Sequence, residues 1–598
     1  MIDIENLETE KSGQSTGDGT EVENAASVFS ASVESAQDGN SANGKSGWFH
    51  NFVDSFREME IPEETNYEGL TQLEITNLKV AQSPLSRALK PRHVKAIAVG
   101  GCIGSGLFIG TGTALRTGGP ASLLIGWAIT GSMLYCVMND LGELAVEFPV
   151  PGAFLTYNVR FIDSSWGFAM AWNYCLMWLI VLPFEIIATS LTVQYWNSDI
   201  NSDAWVVIFY VFICVLNLFG AKGYGEAEFI ASSVKFLAIV GFFILSIVLI
   251  SGGGPNHDYI GVQYWHDPGA FADGFKGLCS VFVTAAYSLA GTELSALAAA
   301  GESENPRKTV PSAIKQVFWR VTFFYLTSLM FIGFLVPYND LSLFGATSSA
   351  DANTSPFVIA IKNAGIKGLP SVMNVVIMIS VLSVGNAATY GCSRTLCSMA
   401  TQGLAPKIFS YIDRRGRPIF GFLASAIVGL LCFISANKTD EALAFTWLLA
   451  ISGLSALFTW GSISFSRIQF RRALKAQGRD VSELSFVSRT GLLGSIYAII
   501  INILVLAAQF WIALFPIDDP PSANTFFENY LSFVVIIVFY VGHKLYTRNW
   551  KLILNPLEID IDTGRREVDL ELMKQEAQED KERLASKPLY YRIYHYWC

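Results

Sequence analysis

Apolar residues in this chain come in long runs, not in the alternation of a half-buried strand or the one-sided stripe of a surface helix. Twelve runs are long enough to cross about 30 Å of hydrocarbon. They lie near residues 94–115, 120–141, 166–193, 205–219, 228–250, 279–299, 317–336, 369–392, 419–435, 444–464, 490–515 and 526–543. Such runs predict membrane-spanning α-helices, because a helix satisfies its own backbone hydrogen bonds where no water can. An even number of crossings puts both termini on one side.

Composition agrees with this reading. Of 598 residues, 51% are hydrophobic and 15% charged, where a soluble domain carries roughly a quarter charged. The mean hydropathy is +0.38. A disordered scaffold is excluded and a cytosolic enzyme disfavoured. The 42 Phe, 14 Trp and 50 Gly suit a polytopic membrane protein, with aromatics at the interfaces and glycines where helices approach. The net charge of −10 is local: residues 1–88 hold 16 acidic and 5 basic side chains, 89–543 hold 25 and 26, and 544–598 hold 10 and 10. The acidity therefore belongs to a tail and gives no reason to expect a nucleic-acid partner.

The chain accordingly divides into three regions: an acidic, mostly disordered tail over 1–90, a twelve-helix domain over 91–543, and a second tail over 544–598. Within the first, Trp48, Phe49, Phe52 and Phe56 point to a short membrane-surface helix. The N-terminus lacks the basic flank and apolar run of a cleavable signal. Eight of the nine cysteines fall inside apolar runs and no C-x-x-C pair occurs, so neither a metal nor a disulfide framework is expected.

Basic residues assign the sides. Loops on the side of the termini contain 16 of them, among them Arg160, Arg307, Arg394, Arg417, Arg467 and Arg471, against Arg116, Lys276, Lys362, Lys367 and Lys438 opposite. By the positive-inside rule both termini are cytoplasmic. The two N-x-S/T sequons, at Asn353 and Asn437, then fall in outside loops and are glycosylation candidates.

Four runs carry candidate chemistry. The first holds Gly100-Gly101-Cys102-Ile103-Gly104-Ser105-Gly106, with Gly110 and Gly112 close behind. Glycine costs about 1 kcal/mol each in a regular helix relative to Ala, and the cluster reads as a broken helix whose freed N–H groups receive an anion. The other reading is close helix packing. The sixth run holds Tyr287-Ser288-Leu289-Ala290-Gly291-Thr292-Glu293, a second break whose carbonyls suit an ammonium group. Two breaks five helices apart are what an inverted five-helix repeat produces. Glu293 is an intramembrane carboxylate, which is rare and usually functional, or else a structural hydrogen bond to a neighbouring helix. Glu185 lies mid-run with Val181 and Met177 on its face. Lys235, in the fifth run, is either functional or a lysine snorkelling to the interface.

These stretches, with Glu304-Asn305-Pro306-Arg307-Lys308, Ser393-Arg394-Thr395-Leu396, Gly403-Leu404-Ala405-Pro406-Lys407 and Asp413-Arg414-Arg415-Gly416-Arg417-Pro418, resemble the fungal amino acid permeases of the amino acid–polyamine–organocation superfamily. The likeness runs from about Lys90 to the C-terminus and is strongest to general, broad-range permeases. It implies an all-α polytopic fold with twelve transmembrane helices, a leucine-transporter-type 5+5 inverted repeat plus two helices. It further implies a plasma-membrane proton-coupled amino acid symporter with no cofactor, or an amino acid sensor on the same fold. On that resemblance Ile103, Gly104, Ser105 and Gly106 receive the substrate carboxylate. Ser288, Leu289, Ala290 and Gly291 take its ammonium, with Leu289 where many relatives have a gating Phe. Lys235 stands in for a coupling cation, and Glu293, with Glu185, handles the proton. Met177 and Val181 offer an apolar wall, so neutral amino acids are expected to be preferred. Arg467 departs from a His that often precedes I-R-F-R. Terminal Cys598, beside aromatics, is a palmitoylation candidate or a plain thiol. Lys11 and Lys45 resemble ubiquitin acceptors, which implies ubiquitin-ligase partners at the tails and cycling through the secretory and endosomal pathway. With six His and no H-E-x-x-H or G-x-S-x-G set, a membrane enzyme finds no constellation.

Overall fold

The computed structural model describes residues 53–59, 85, 89–101, 103–150, 152–196, 201–296, 306–344, 355–436, 438–517, 520–563, 565, 579, 582–589 and 591–592. The expected tail features Trp48, Phe49, Phe52, Lys11, Lys45 and Cys598, and the sequons Asn353 and Asn437, lie outside these residues. By spatial contacts the chain divides into Met1–Arg57 and Glu58–Cys598.

Helices occupy all twelve expected runs, every one of them in the second unit. We label them α1 (91–118, beginning with Pro91–Gly100), α2 (120–147), α3 (Ser164–Val193), α4 (Ser202–Asn217), α5 (Gly220–Ile250), α6 (Gly274–Leu289, resuming over 292–296) and α7 (Pro306–Trp319 continuing through Thr327–Leu335). Then come α8 (Leu369–Thr401), α9 (Ile419–Gly429, extended by Leu430–Ala436), α10 (Lys438–Ala476), α11 (Gly491–Leu514) and α12 (Ala523–Thr547). Among the described residues, eight helices are long and apolar enough to cross a membrane, and Asp203–Asn217 and Ile419–Phe433 are shorter apolar ones. Among the described residues the only extended pairing is an isolated bridge between Glu58 and Asp413.

Local chemistry sets the joints. Gly119 takes φ 79°, ψ 171° just before Pro120, and so separates α1 from α2 inside one continuous helical run. The left-handed φ suits only glycine, and proline withholds an N–H. The side chain of Asp163 accepts from the backbone N–H of Ser165 and Trp166 to start α3, and that of Ser522 accepts from Thr525 to start α12, as N-caps do. α8 packs along α3, α6 along α1 and α2, and α5 against the first half of α1.

Several charges counted as loop residues are built into the body. Arg160, Arg394, Arg417 and Arg467 are buried. Arg467 donates to Glu143 at 3.0 and 3.1 Å, and Arg471 to the same carboxylate at 2.7 Å twice. One turn on, Arg565 donates to Glu147 at 3.0 Å. The departure at Arg467 therefore brings a buried charge together with the carboxylate that neutralises it, as a buried ion requires. The second tail also begins inside the body: Leu554 donates its N–H to Ile162 at 2.9 Å, and Ile559 and Ile561 belong to the main core. The change at 544 is one of composition and not the end of the packed unit.

Candidate functional site

The first helix stops at Gly100, and a new helical turn starts at Ser105 after Gly104 with φ −151°, ψ −141°. α6 stops at Leu289, where Ala290 is extended and Gly291 takes φ 85°. Both breaks meet at one small cavity. It is lined by Gly104, Ser105 and Gly106 of α1, Met177, Trp178, Val181 and Glu185 of α3, Tyr287 and Ala290 of α6, Val384 of α8 and Ser452 of α10. The helix that begins at Ser105 leaves its first N–H groups without intrahelical acceptors, which is where an anion is held best.

Glu185 brings the one carboxyl group that lines this cavity and is 1% exposed. Its Oε1 accepts from Ser105 Oγ at 2.6 Å and from Tyr287 Oη at 2.9 Å, and the two hydroxyls lie 2.9 Å apart. One carboxylate oxygen thus joins α3 to both breaks. Its Oε2 has no hydrogen-bond partner among the described residues. A buried polar atom left bare is costly, about 1–3 kcal/mol and more for a charged group, and the cavity beside it is where a partner would come from.

Sequence reasoning and structure part company on α6. Of Ser288, Leu289, Ala290 and Gly291, only Ala290 lines the cavity. The Ser288 carbonyl accepts from Tyr325 Oη at 2.7 Å and its hydroxyl from Trp127 Nε1 at 2.8 Å. The Leu289 carbonyl accepts from Thr292 Oγ1 at 2.5 Å, and the Gly291 N–H donates to Glu293 Oε1 at 3.1 Å. The Leu289 side chain is fully buried and does not line the cavity, whereas Tyr287, two residues earlier, does. Ile103 is likewise buried away from the cavity and donates its N–H to the Gly100 carbonyl at 3.0 Å. Of the expected residues, Gly104, Ser105, Gly106, Met177, Val181, Ala290 and Glu185 come together.

Glu293 stands apart from them. Its Oε2 accepts from Trp460 Nε1 at 3.0 Å and its Oε1 from Gly291, the structural bond to a neighbouring helix that the sequence left open. On α10, Ser452 reaches the cavity, whereas Ser455 donates to Asn173 at 2.9 Å and Thr459 to the Ser455 carbonyl at 2.9 Å.

Lys235 does not snorkel. It is 1% exposed, and its Nζ donates to the Gly100 carbonyl at 2.7 Å and to Ser383 Oγ at 2.9 Å. Glu228 Oε1 lies 3.6 Å away, and Ser383 Oγ donates to Glu228 Oε2 at 2.5 Å. The ammonium therefore binds the end of the first half-helix to α5 and α8. Glu228 escaped the sequence reading, although a carboxylate two turns from Lys235 on the same helix was a signal for it.

A sequence model of the family described as Amino acid permease matches residues 93–555. The chain is 57% identical over 551 residues to the general amino-acid permease GAP2 of Candida albicans, covering 92% of this chain and 93% of that one. It is 56% identical over 561 residues to the general amino-acid permease GAP1 of Saccharomyces cerevisiae, covering 93% and 92%. A solved manganese transporter of Eremococcus coleocola is 15% identical, with a TM-score of 0.46, over 83% of this chain and 98% of that one. With a match that spans both helix breaks, the cavity and the buried lysine, this chain belongs to the fungal amino acid permease family.

Proposed function

We propose that the chain is a plasma-membrane amino acid uptake permease of broad range, driven by protons, with neutral side chains preferred. One observation carries the reading: the two helix breaks of a permease-family chain enclose a cavity around a carboxylate with one bare oxygen. The backbone N–H groups at Ser105 and Gly106 take the substrate carboxylate. Ala290 and the bare Glu185 Oε2 face its ammonium, and Met177, Val181, Trp178 and Val384 pack the side chain. In this scheme Glu185 carries the proton while substrate occupies the cavity, so that the two cross in the same direction. Glu293 braces the α6 break in this scheme. Twelve crossings with cytoplasmic termini, tails over 1–90 and 544–598, ubiquitin acceptors at Lys11 and Lys45 and a lipid at Cys598 complete the proposal.

Uptake of labelled amino acids into cells lacking their own permeases tests it. Uptake should rise from pH 7.5 to pH 5, ignore sodium and collapse with a protonophore, since about 2.3 kcal/mol per charge per 100 mV is then lost. Sodium-dependent uptake would overturn the coupling. In competition, Leu, Phe and Gln should displace one another more strongly than Arg does, because the walls supply no second acid for a basic side chain. Arg as the best competitor would overturn the pocket reading.

A further inference from the structure

Besides Lys235, a second buried cation reaches the end of the first half-helix. Arg320 is wholly buried in α7, at the first residue of a π-helical stretch, Arg320–Leu326. Such wide turns interrupt helices mostly at functional sites. Here the i→i+5 repeat brings Arg320 and Tyr325 onto one face. Tyr325 donates to the Ser288 carbonyl at the end of the outer half of α6. Arg320 Nη1 donates to the Ala98 carbonyl of α1 at 2.7 Å, and its Nη2 donates to Thr292 Oγ1, just past the α6 break. Thr292 passes the connection to the Leu289 carbonyl.

Ala98 and Gly100 are among the last residues of the first half-helix, whose final carbonyls have no intrahelical donors and whose dipole end is negative. At about 100° per residue, the carbonyls of Ala98 and Gly100 sit on nearly opposite sides of the helix axis. Arg320 takes the first from α7, and Lys235 takes the second from α5. The two cations differ in one respect that matters. A guanidinium keeps its charge at any physiological pH and holds its acceptors in a fixed planar fork, while an ammonium is a compact charge on a flexible stem that can lose its proton.

We infer that Arg320 is a positioning residue that locks the first half of α1 to the inner segment of α6, so that the two move as one body during turnover. Lys235 is the releasable attachment of that body to α5 and α8. Arg320 touches no cavity residue through its head group and does not carry the proton.

The inference rests on the transport reading, which stands or falls on uptake by the unsubstituted chain; the variants are scored only relative to it, per molecule at the cell surface. Arg320→Lys keeps the cation and removes the planar fork that spans the two acceptors, and Thr292→Val keeps the shape and removes the acceptor. Each should lower maximal uptake about 10-fold or more, with KM within about 2-fold and the pH profile unmoved. Exchange across the membrane should fall in parallel. The double variant should be no worse than the worse single one, because both remove the same link. A wild-type rate in Arg320→Lys overturns the inference, as does a multiplicative loss in the double variant. Lost accumulation with exchange retained would place Arg320 in proton coupling and overturn it equally.

Discussion

Lys235→Ala is expected to abolish concentrative uptake while exchange of amino acid across the membrane persists. In the structure the ammonium fixes the Gly100 carbonyl to Ser383 and lies 3.6 Å from Glu228. Removing it frees the end of the first half-helix from α5 and α8, and the path no longer requires a proton to open. The accumulation ratio should fall to about one, with labelled substrate still leaving preloaded cells when unlabelled substrate is outside. Stability falls as well, since breaking a buried pair costs about 3–5 kcal/mol when its partner keeps its charge. That partner is Glu228, so Lys235→Ala with Glu228→Gln should recover surface abundance without recovering accumulation. Full concentrative uptake by Lys235→Ala would overturn the coupling scheme and leave the family assignment intact.

The second large effect belongs to Gly106. A Cβ there would stand 2.6 Å from Ser288 Cα and 3.1 Å from its backbone N, closer than packed atoms tolerate. The obstacle is main chain and cannot rotate away. Gly106→Ala must part α1 from α6 where their two breaks meet, and overpacking of this kind costs about 1–3 kcal/mol or more. Uptake per surface molecule should drop about 100-fold, which is about 2.7 kcal/mol, and Gly106→Val should abolish it. At Gly104 a Cβ meets Val384 Cγ2 at 2.5 Å, a side-chain methyl that can turn aside, so Gly104→Ala should retain more activity than Gly106→Ala. Near-normal uptake in Gly106→Ala would show that the two helices separate there without cost. The comparison also resolves the two readings of the glycine cluster: the glycines end a helix and, at Gly106, let it approach its neighbour.

The elements of this protein were legible in its sequence because lipid leaves few options. A run of apolar residues long enough to cross must be helical, and so the twelve helices lie where hydropathy put them. Glycines crowded into a span mark a break because they are costly in a helix, and Glu185 and Lys235 stood out because ions are scarce inside membranes. Met177 and Val181 line the cavity with Glu185 for a related reason: α3 is unbroken across them, so helical spacing carries from one to the next. That logic does not say which face of a helix meets a cavity. Tyr287 and Leu289 lie two residues apart in the unbroken part of α6, on nearly opposite faces, and only the packing of α6 against its neighbours puts Tyr287 at the cavity. Nor does local sequence name a partner. The roles of Glu228, Arg320, Trp460 and Ser383 arise from contacts between residues up to 222 positions apart. Only the packing of α5, α7, α8 and α10 against the two breaks decided which buried polar groups would satisfy one another.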